Sequence, residues 1–497
     1  MPADPVAPLV QELVPPPDPV RCCEQLAGLP YRLFLDSASR DPRLGRHSFL
    51  AADPVAVVRS TGPRTEWIDL SAGTRRLVEG DPLTAARGFL APFASPAVPG
   101  LPPFQGGVAG YIAYDWGFEL ERLPAPSHDD LALDDLVCGV YDWVLAWDHV
   151  ASRAWLISTG MPEIAPGPRA QRAAARAAGV RARLSAASFE ARESDRPDAP
   201  TLRATGVPAA SYPVNDGWWD PRIALRSSFT RHDYLEAVER VRQYILAGDV
   251  FQANLSQRFE VSLTEPAWAL YRRLRVCNPA PFAAFLDFPE TVVLSASPER
   301  FLRVDEAGRV ETRPIKGTRP RGVGPEHDAA LGQALTESPK DRAENLMIVD
   351  LMRNDLSRVC APGSVRVAEL FALEQYATVH HLVSTVVGQL APGADALDLL
   401  RAAFPGGSIT GAPKLRAMEI IAEIESSRRG VYCGSIGYWS VTGVLDANIA
   451  IRTAVTRGGR VYFHAGGGVV ADSVPAEEYQ ETLDKARGFI DALAVPG

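Results

Sequence analysis

The residues able to do chemistry gather in the second half of this chain. Asp341 and Glu344 are spaced i, i+3, and Glu478, Glu481 and Lys485 are spaced i, i+3, i+7, so each set shares one face wherever the chain is helical. Glu344 runs into Leu346-Met347-Ile348-Val349, an apolar setting that is costly for an unpaired carboxylate. Two acidic pairs on two helices suit a hard, oxygen-liking cation such as Mg2+; by spacing alone they also read as solvated faces with surface ion pairs. The segment from Arg313 to Arg321 holds four basic residues in nine. It is either a solvated basic loop or a place where Lys316, among cations and apolar neighbours, gives up its proton and serves as a nucleophile. Arg452 interrupts the apolar run Asn448-Ile449-Ala450-Ile451-Arg452-Thr453, and a buried arginine needs an anion, internal or from a substrate. Ala465-Gly466-Gly467-Gly468-Val469 either offers backbone N–H groups to an anion or simply turns tightly. In Gly406-Gly407-Ser408-Ile409-Thr410-Gly411-Ala412-Pro413 a helix is expected to begin at the proline, and helix N-termini favour negative ligands. His380-His381 has no metal-type partner at fixed spacing and is assigned to packing or hydrogen bonding. No cysteine has a G-x-C-x-G context, so a built-in glutaminase or thiol hydrolase is not expected.

The elements that must position these residues fall into two parts. The chain has 497 residues, a prior of roughly three domains, with 46% hydrophobic and 22% charged residues, enough to bury a large core. Its net charge of −9 argues against a nucleic-acid partner. No apolar run reaches the ~18 residues of a membrane span. The Pro-rich N-terminus lacks a signal pattern, and six scattered cysteines argue against disulfides, so a cytoplasmic location is expected.

Residues 20–165 read as an N-terminal part rich in strands, notably Val137 to Leu156. Residues 168–184 form an Ala/Arg helix without an apolar stripe, read as solvated, and 188–228 a polar, Pro-rich linker or loop; together 166–228 make a connecting segment. Residues 229–494 form the third unit. There Thr230 with Asp233 makes a capping spacing ahead of Tyr234, Val238, Val241 and Ile245, and Gly248 stops the helix. Ser338-Pro339 opens a second helix. Residues 291–304 and 309–315 read as a hairpin, with further helices over 395–403, 413–426 and 476–493 and strands over 432–440, 446–455 and 460–465. Without regular βαβ alternation, the expectation is an α+β fold of large antiparallel sheets with helices on the outside.

Taken together, these motifs resemble the chorismate-utilising enzymes. The resemblance covers most of 227–490. It rests on Gly248-Asp249-Val250-Phe251-Gln252, Ser297-Pro298-Glu299-Arg300, Pro314 to Arg321, Asp350 to Leu356, His381-Leu382-Val383-Ser384, Phe404 to Lys414, Ile451-Arg452-Thr453 and Glu478-Tyr479-Gln480-Glu481-Thr482. More loosely, Phe34 to Ala38 and Gly45 to Phe49 are similar to the family's N-terminal regulatory part. It implies one body of intertwined N- and C-terminal parts.

Site roles follow from the same resemblance. Glu344 and Glu481 would coordinate Mg2+, with Asp341 and Glu478 near it. Gly467, Gly468 and Lys485 would bind the ring carboxylate of chorismate, and Arg452 and Tyr432 its enolpyruvyl arm. Glu299 would protonate the leaving C4 hydroxyl, while His381, Ser408, Thr410 and Thr318 would shape the pocket. Gln252 stands where water-using members carry a lysine, which disfavours water as nucleophile. Lys316 stands where the members that aminate C2 have alanine. The implied reaction is therefore amination at C4 through a covalent lysine, giving 4-amino-4-deoxychorismate for p-aminobenzoate and folate synthesis, with amination at C2 to anthranilate as the alternative. A non-catalytic homologue would have lost Glu299, Glu344, Glu481 or Arg452, and none is lost. Ammonia would come from a separate glutamine amidotransferase. Leu35, Asp36 and Ser37, with Pro281 and Phe282, would form a tryptophan pocket that is structural, regulatory or empty.

Overall fold

The computed structural model describes residues 7–126, 128–186, 210–215, 217–376 and 379–494. Local signals place the main helices as expected. The Thr230 hydroxyl accepts from the Asp233 N–H at 3.1 Å and starts the helix Arg231–Ala247, which buries Tyr234, Ala237, Val238 and Val241. Gly248, at φ 87°, ends it in the left-handed conformation that glycine adopts without penalty. Ser338 caps Pro339–Ser357, whose inner face carries Ile348, Val349, Met352 and Leu356. The helix Pro475–Ala494 buries Tyr479, Leu483, Ala486 and Ile490 at helical spacing, Leu483 and Ile490 each contributing about 1.5–3 kcal/mol.

Two antiparallel sheets form the middle of the molecule. The first runs Leu9–Glu12, Arg153–Ser158, Trp143–Asp148, His47–Ala51, Arg32–Asp36, Phe282–Asp287 and Val292–Ser297. It continues through Thr453–Arg457, Arg460–Val469, Gln252–Ser262, Arg226–Ser227 and Tyr212–Pro213, with Gly411–Ala412 pairing Gln252–Ser262 at one end. The second runs Ile315–Pro320, Val379–Gln389, Arg309–Thr312, Arg300–Val304, Leu445–Asn448 and Ser435–Ser440, then Gly107–Ile112, Leu136–Tyr141, Ala56–Thr61, Arg64–Asp69 and Thr74–Val78. Arg366–Gln375 pairs Val379–Gln389 off this path. Each sheet thus takes strands from both halves of the chain.

Period-two alternation explains the layering. Leu33 belongs to a core of residues from both sheets, with Phe49, Tyr111, Leu286, Val293 and Ile436; its neighbour Phe34 belongs to a different core, which includes the helical residues Tyr234, Tyr271 and Phe489. Helices therefore cover the outer faces, and strands buried on both sides read as nearly continuous apolar runs.

Four expectations change. The runs 291–304 and 446–455 are each two strands, broken at Pro298-Glu299 and over Ile449 to Arg452, where the chain passes from one sheet to the other. The Ala/Arg helix Pro166–Ser185 is docked, not solvated. Its buried line is Arg169, Ala173, Ala177 and Val180, and Arg176 donates to buried Asp142 at 2.9 Å and to Asp53 at 2.6 Å. Small alanines let the helix sit close to the sheet while giving little apolar signal. Of the expected linker, 188–209 lies outside the described residues, but Tyr212–Pro213 and Arg226–Ser227 are strands that extend the first sheet.

Candidate active site

The site forms where the chain crosses between the sheets. Ser297 ends a strand of the first sheet and Arg300 begins one of the second; Asn448 ends in the second and Thr453 begins in the first. These two crossings are hydrogen-bonded to each other: the Ile449 N–H donates to Glu299 O at 3.0 Å, and the Ala296 N–H to Arg452 O at 2.9 Å. A third segment joins them, the Cys433 N–H donating to Ala450 O at 3.0 Å and the Ala450 N–H to Gly434 O at 2.9 Å. Backbone pairing alone thus gathers Glu299, Arg452 and Tyr432 from positions far apart in sequence.

Glu299 is buried, and loss of water pushes its carboxyl up to about 7. The Ser408 hydroxyl, Lys316, the Ile315 N–H (3.5 Å from Oε1) and Lys485 oppose that rise. A carboxyl held near neutrality is suited to deliver a proton. Lys316 sits in an irregular stretch of Ile315–Pro320, where pairing with Val379–Gln389 slips between Ile315 and Thr318. Gly317 takes φ 88° there and packs on Asp341 and Leu335. Lys316 is half-buried, and desolvation lowers its pKa from the usual 10.5 against the pull of Glu344, Glu299 and Glu481. Acid and amine therefore both move toward their neutral forms in one place.

Arg452 has φ 49°, an uncommon conformation for a branched-off long side chain, and burial lowers its pKa. Among the described residues no carboxylate pairs with it; Nη1 lies 3.4 Å from Asn278 Oδ1. A desolvated guanidinium without a carboxylate partner is suited to an anion. Beside it, His381 is pushed down to about 3 by burial and by Arg452, so it is neutral, and its Nδ1 shares a 2.8 Å bond with the Thr318 hydroxyl. Tyr432 stacks on His464, ring centroids 4.9 Å apart and 8° from parallel.

The strand Gln252–Ser262 supplies the opposite wall. Register sets Asn254 against Gly468 and Leu255 against Gly467, and the Asn254 side chain donates to Ser408 O at 2.9 Å. Gln252 is fully buried, yet both of its amide atoms lack a protein partner, which marks them for a ligand or water. An added Cβ at Gly468 would overlap that amide, so only glycine fits. Thr410 is placed differently from the others: its hydroxyl donates to Gly406 O at 3.1 Å and shapes the turn.

The acids test the fit of a metal. Among the described residues, no three His, Cys, Asp or Glu side chains already close as a metal site. Still, a Cβ at Gly467 would lie 3.1 Å from Glu478 Oε2 and 3.2 Å from Glu481 Oε1, so these carboxylates share one cradle. Burial raises Glu344 and Glu478, and Glu481 raises both further. Burial would raise Glu481 too, but Lys485, 2.6 Å away, overrides it and leaves it lowered. Like charges crowded onto oxygen-only donors fit a hard divalent cation. Asp341 is turned aside, paired with Arg319 at 2.9 Å.

Sequence reasoning missed several members. Ser473 donates to Glu478 at 2.6 Å, Lys340 bears on Glu344, Glu478 and Glu481, and Glu425 with Arg429 underlies the 408–410 turn. The i, i+4 spacing of Glu425 and Arg429 was the available signal for the last pair. Away from this site, Leu35, Asp36, Ser37, Pro281 and Phe282 line a cavity of about 410 Å3. Asp36 is already engaged, by Arg275 at 2.8 Å and the Tyr271 hydroxyl at 3.1 Å.

Comparison with known proteins agrees with this geometry. The chorismate binding enzyme family matches residues 32–491, and the chain belongs to that family. Its relatives include aminodeoxychorismate synthase component 1 of Klebsiella aerogenes, 42% identical with 94% of this chain and 95% of that protein covered. Anthranilate synthase component 1 of Pseudomonas aeruginosa is 40% identical, covering 95% and 92%. Among solved structures, anthranilate synthase component I from Streptococcus pneumoniae superposes with a TM-score of 0.72 at 31% identity, covering 90% of this chain and 92% of that one. No described helix is long and apolar enough to cross a membrane.

Proposed function

We propose that the chain aminates chorismate at C4, giving 4-amino-4-deoxychorismate with its enolpyruvyl group retained. The observation that carries this reading is Lys316, a desolvated amine beside Glu299, which would supply the second nucleophile that the reaction needs. In the neutral form its nitrogen attacks C2 of chorismate, the ring double bonds shift, and the C4 hydroxyl leaves as water with the proton of Glu299. The lysine nitrogen then loses its extra proton. Ammonia attacks C4, the double bonds shift back, and Lys316 leaves C2 and is reprotonated. The sum is chorismate plus ammonia to aminodeoxychorismate plus water.

The other residues bind and orient. Arg452 would meet the enolpyruvyl carboxylate with Tyr432 alongside, and Lys485 with the Gly467 and Gly468 backbone would meet the ring carboxylate. Gln252 would use its unpartnered amide on substrate or ammonia. Glu344 and Glu481, with Glu478 behind them, would hold Mg2+, which when bound supplies positive charge against the ring carboxylate. Because relatives are called component 1, a second component is expected, a glutamine amidotransferase that supplies ammonia. The product would feed p-aminobenzoate and folate synthesis in the cytoplasm, and the cavity beside Ser37 and Phe282 would take tryptophan.

Amination at C2 to anthranilate is the second reading, favoured by the 40% identity to the Pseudomonas enzyme. Incubation with chorismate, Mg2+ and an ammonium salt, followed by chromatography, separates them. A non-fluorescent amino product that still carries its enolpyruvyl group supports the first reading, and direct appearance of fluorescent anthranilate overturns it.

A further inference from the structure

Beneath the candidate active site lies a buried ion pair that the chemistry above does not use. Glu425 follows the helix Lys414–Ile424, and Arg429 comes four residues later; their side chains are 5% and 2% exposed. Arg429 Nε and Nη2 donate to the two Glu425 oxygens at 2.8 and 2.7 Å. The pair also reaches into both walls of the site. Glu425 Oε1 accepts from the Ser256 N–H at 2.7 Å and from its hydroxyl at 2.9 Å. Arg429 Nη2 donates to Asn254 O at 2.7 Å, and Nη1 to Ile409 O at 3.2 Å. Its guanidinium lies 4.6 Å from the Tyr114 ring centre and 5.8 Å from that of Tyr432.

These contacts tie the strand bearing Gln252 to the short turn Gly407–Ile409. Ser408 is the middle residue of that turn, and its hydroxyl meets the Glu299 carboxyl. Two backbone carbonyls flanking the site are thus held by one planar fork, a geometry that lysine cannot reproduce. Buried charges are expensive, and a well-packed apolar pair of similar volume would serve stability as well.

We propose that Glu425 and Arg429 are positioning residues for the reaction: they fix the 407–409 turn against Gln252–Ser262 and so hold the Ser408 hydroxyl on Glu299. The inference rests on Glu299 as the acid of the proposed function. The test follows the alkaline limb of kcat/KM, with unprotonated ammonia held constant at each pH. Groups facing Glu299 are Lys316, Lys485 and the Cys433 thiol; the variants keep all three, and although Arg429 lowers and Glu425 raises the thiol, Arg429→Lys retains both charges.

Ser408→Ala removes a hydrogen bond that favours the carboxylate, so the acid stays protonated to higher pH and the limb moves up, by about one pH unit. Glu425→Leu with Arg429→Met, which leaves no unpaired charge, and Arg429→Lys, which keeps the charge but not the fork, should move the limb the same way. Adding Ser408→Ala to either should move it no further. Melting curves establish that each variant is folded, and Arg429→Lys serves if the apolar pair does not fold. If Ser408→Ala moves the limb and the folded pair variants do not, the positioning role is overturned while the acid stands. If Ser408→Ala itself leaves the limb in place, the acid assignment falls and the positioning role with it.

Discussion

Arg452→Met should make the protein more stable and less able to hold chorismate. In the ligand-free chain this guanidinium is desolvated and, among the described residues, faces no carboxylate; its polar contact with Asn278 is 3.4 Å long. Methionine keeps the apolar length of the stem without the charge. Relief of an uncompensated buried cation is worth about 1–3 kcal/mol. In a chain of 497 residues that is a rise in Tm of about 1–3 °C. The same change removes charge-assisted hydrogen bonds worth about 1.5–3 kcal/mol, which is roughly a 10- to 150-fold loss in affinity. Differential scanning fluorimetry with and without chorismate reads both effects: a higher baseline Tm and a smaller chorismate-induced shift. A lower baseline Tm together with an undiminished shift would refute the reasoning, because Arg452 would then have an internal partner and no role toward substrate.

Four other outcomes follow from the same geometry. Glu299→Gln should stabilise at high pH only: the native carboxyl titrates near 7 and the unfolded one near 4.5, so its stability contribution is present at low pH and lost as pH rises through that window, a difference of about 3 kcal/mol between pH 4 and pH 8. Equal stabilisation at both pH values in melting curves would contradict the shift. Gly468→Ala, whose methyl overlaps the Gln252 amide, should lower chorismate affinity at least tenfold by calorimetry while the fold persists by circular dichroism; unchanged affinity would remove that wall from the site. Glu344→Gln and Glu481→Gln should each weaken the Mg2+ dependence of chorismate binding, with half-saturation moving up by about tenfold or more. Tryptophan should raise Tm, and Phe282→Ala should abolish that rise; a rise that survives would place tryptophan elsewhere.

What was legible in the sequence follows the range of the interactions. The caps at Thr230 and Ser338 and the stop at Gly248 are decided within one helical turn, so residue type and spacing suffice. The break at Pro298-Glu299 is different. It exists because Val292–Ser297 pairs with Thr453–Arg457 in one sheet while Arg300–Val304 pairs with Leu445–Asn448 in the other, partners about 150 residues away. An apolar run says nothing of that change of sheet, although it is what exposes Glu299 to the site. The docked Ala/Arg helix was hidden because Ala173 and Ala177 carry little hydrophobic weight, yet close packing needs small residues. Tyr212–Pro213 and Arg226–Ser227 are too short and polar to show a period. Glu425 and Arg429 are spaced like a solvated helix pair; burial, which spacing does not report, makes them an internal tie. Type and spacing singled out the acids and Lys316 but left solvated faces and a basic loop open, and it is the resemblance that implies their roles; the commitment of Asp341 to Arg319 and of Thr410 to its own turn depends on tertiary contacts.

The central claim is that Lys316 forms a bond to the substrate. Intact-protein and peptide mass spectrometry of the enzyme mixed with chorismate and Mg2+ in the absence of ammonia tests it most directly. The account predicts a mass increment of one chorismate less one water on the peptide containing Lys316, discharged when ammonium is added and absent from Lys316→Ala, which should also lose C4 amination. An unmodified Lys316, with the Lys316→Ala variant still forming the C4-aminated product at the parent rate, would contradict it.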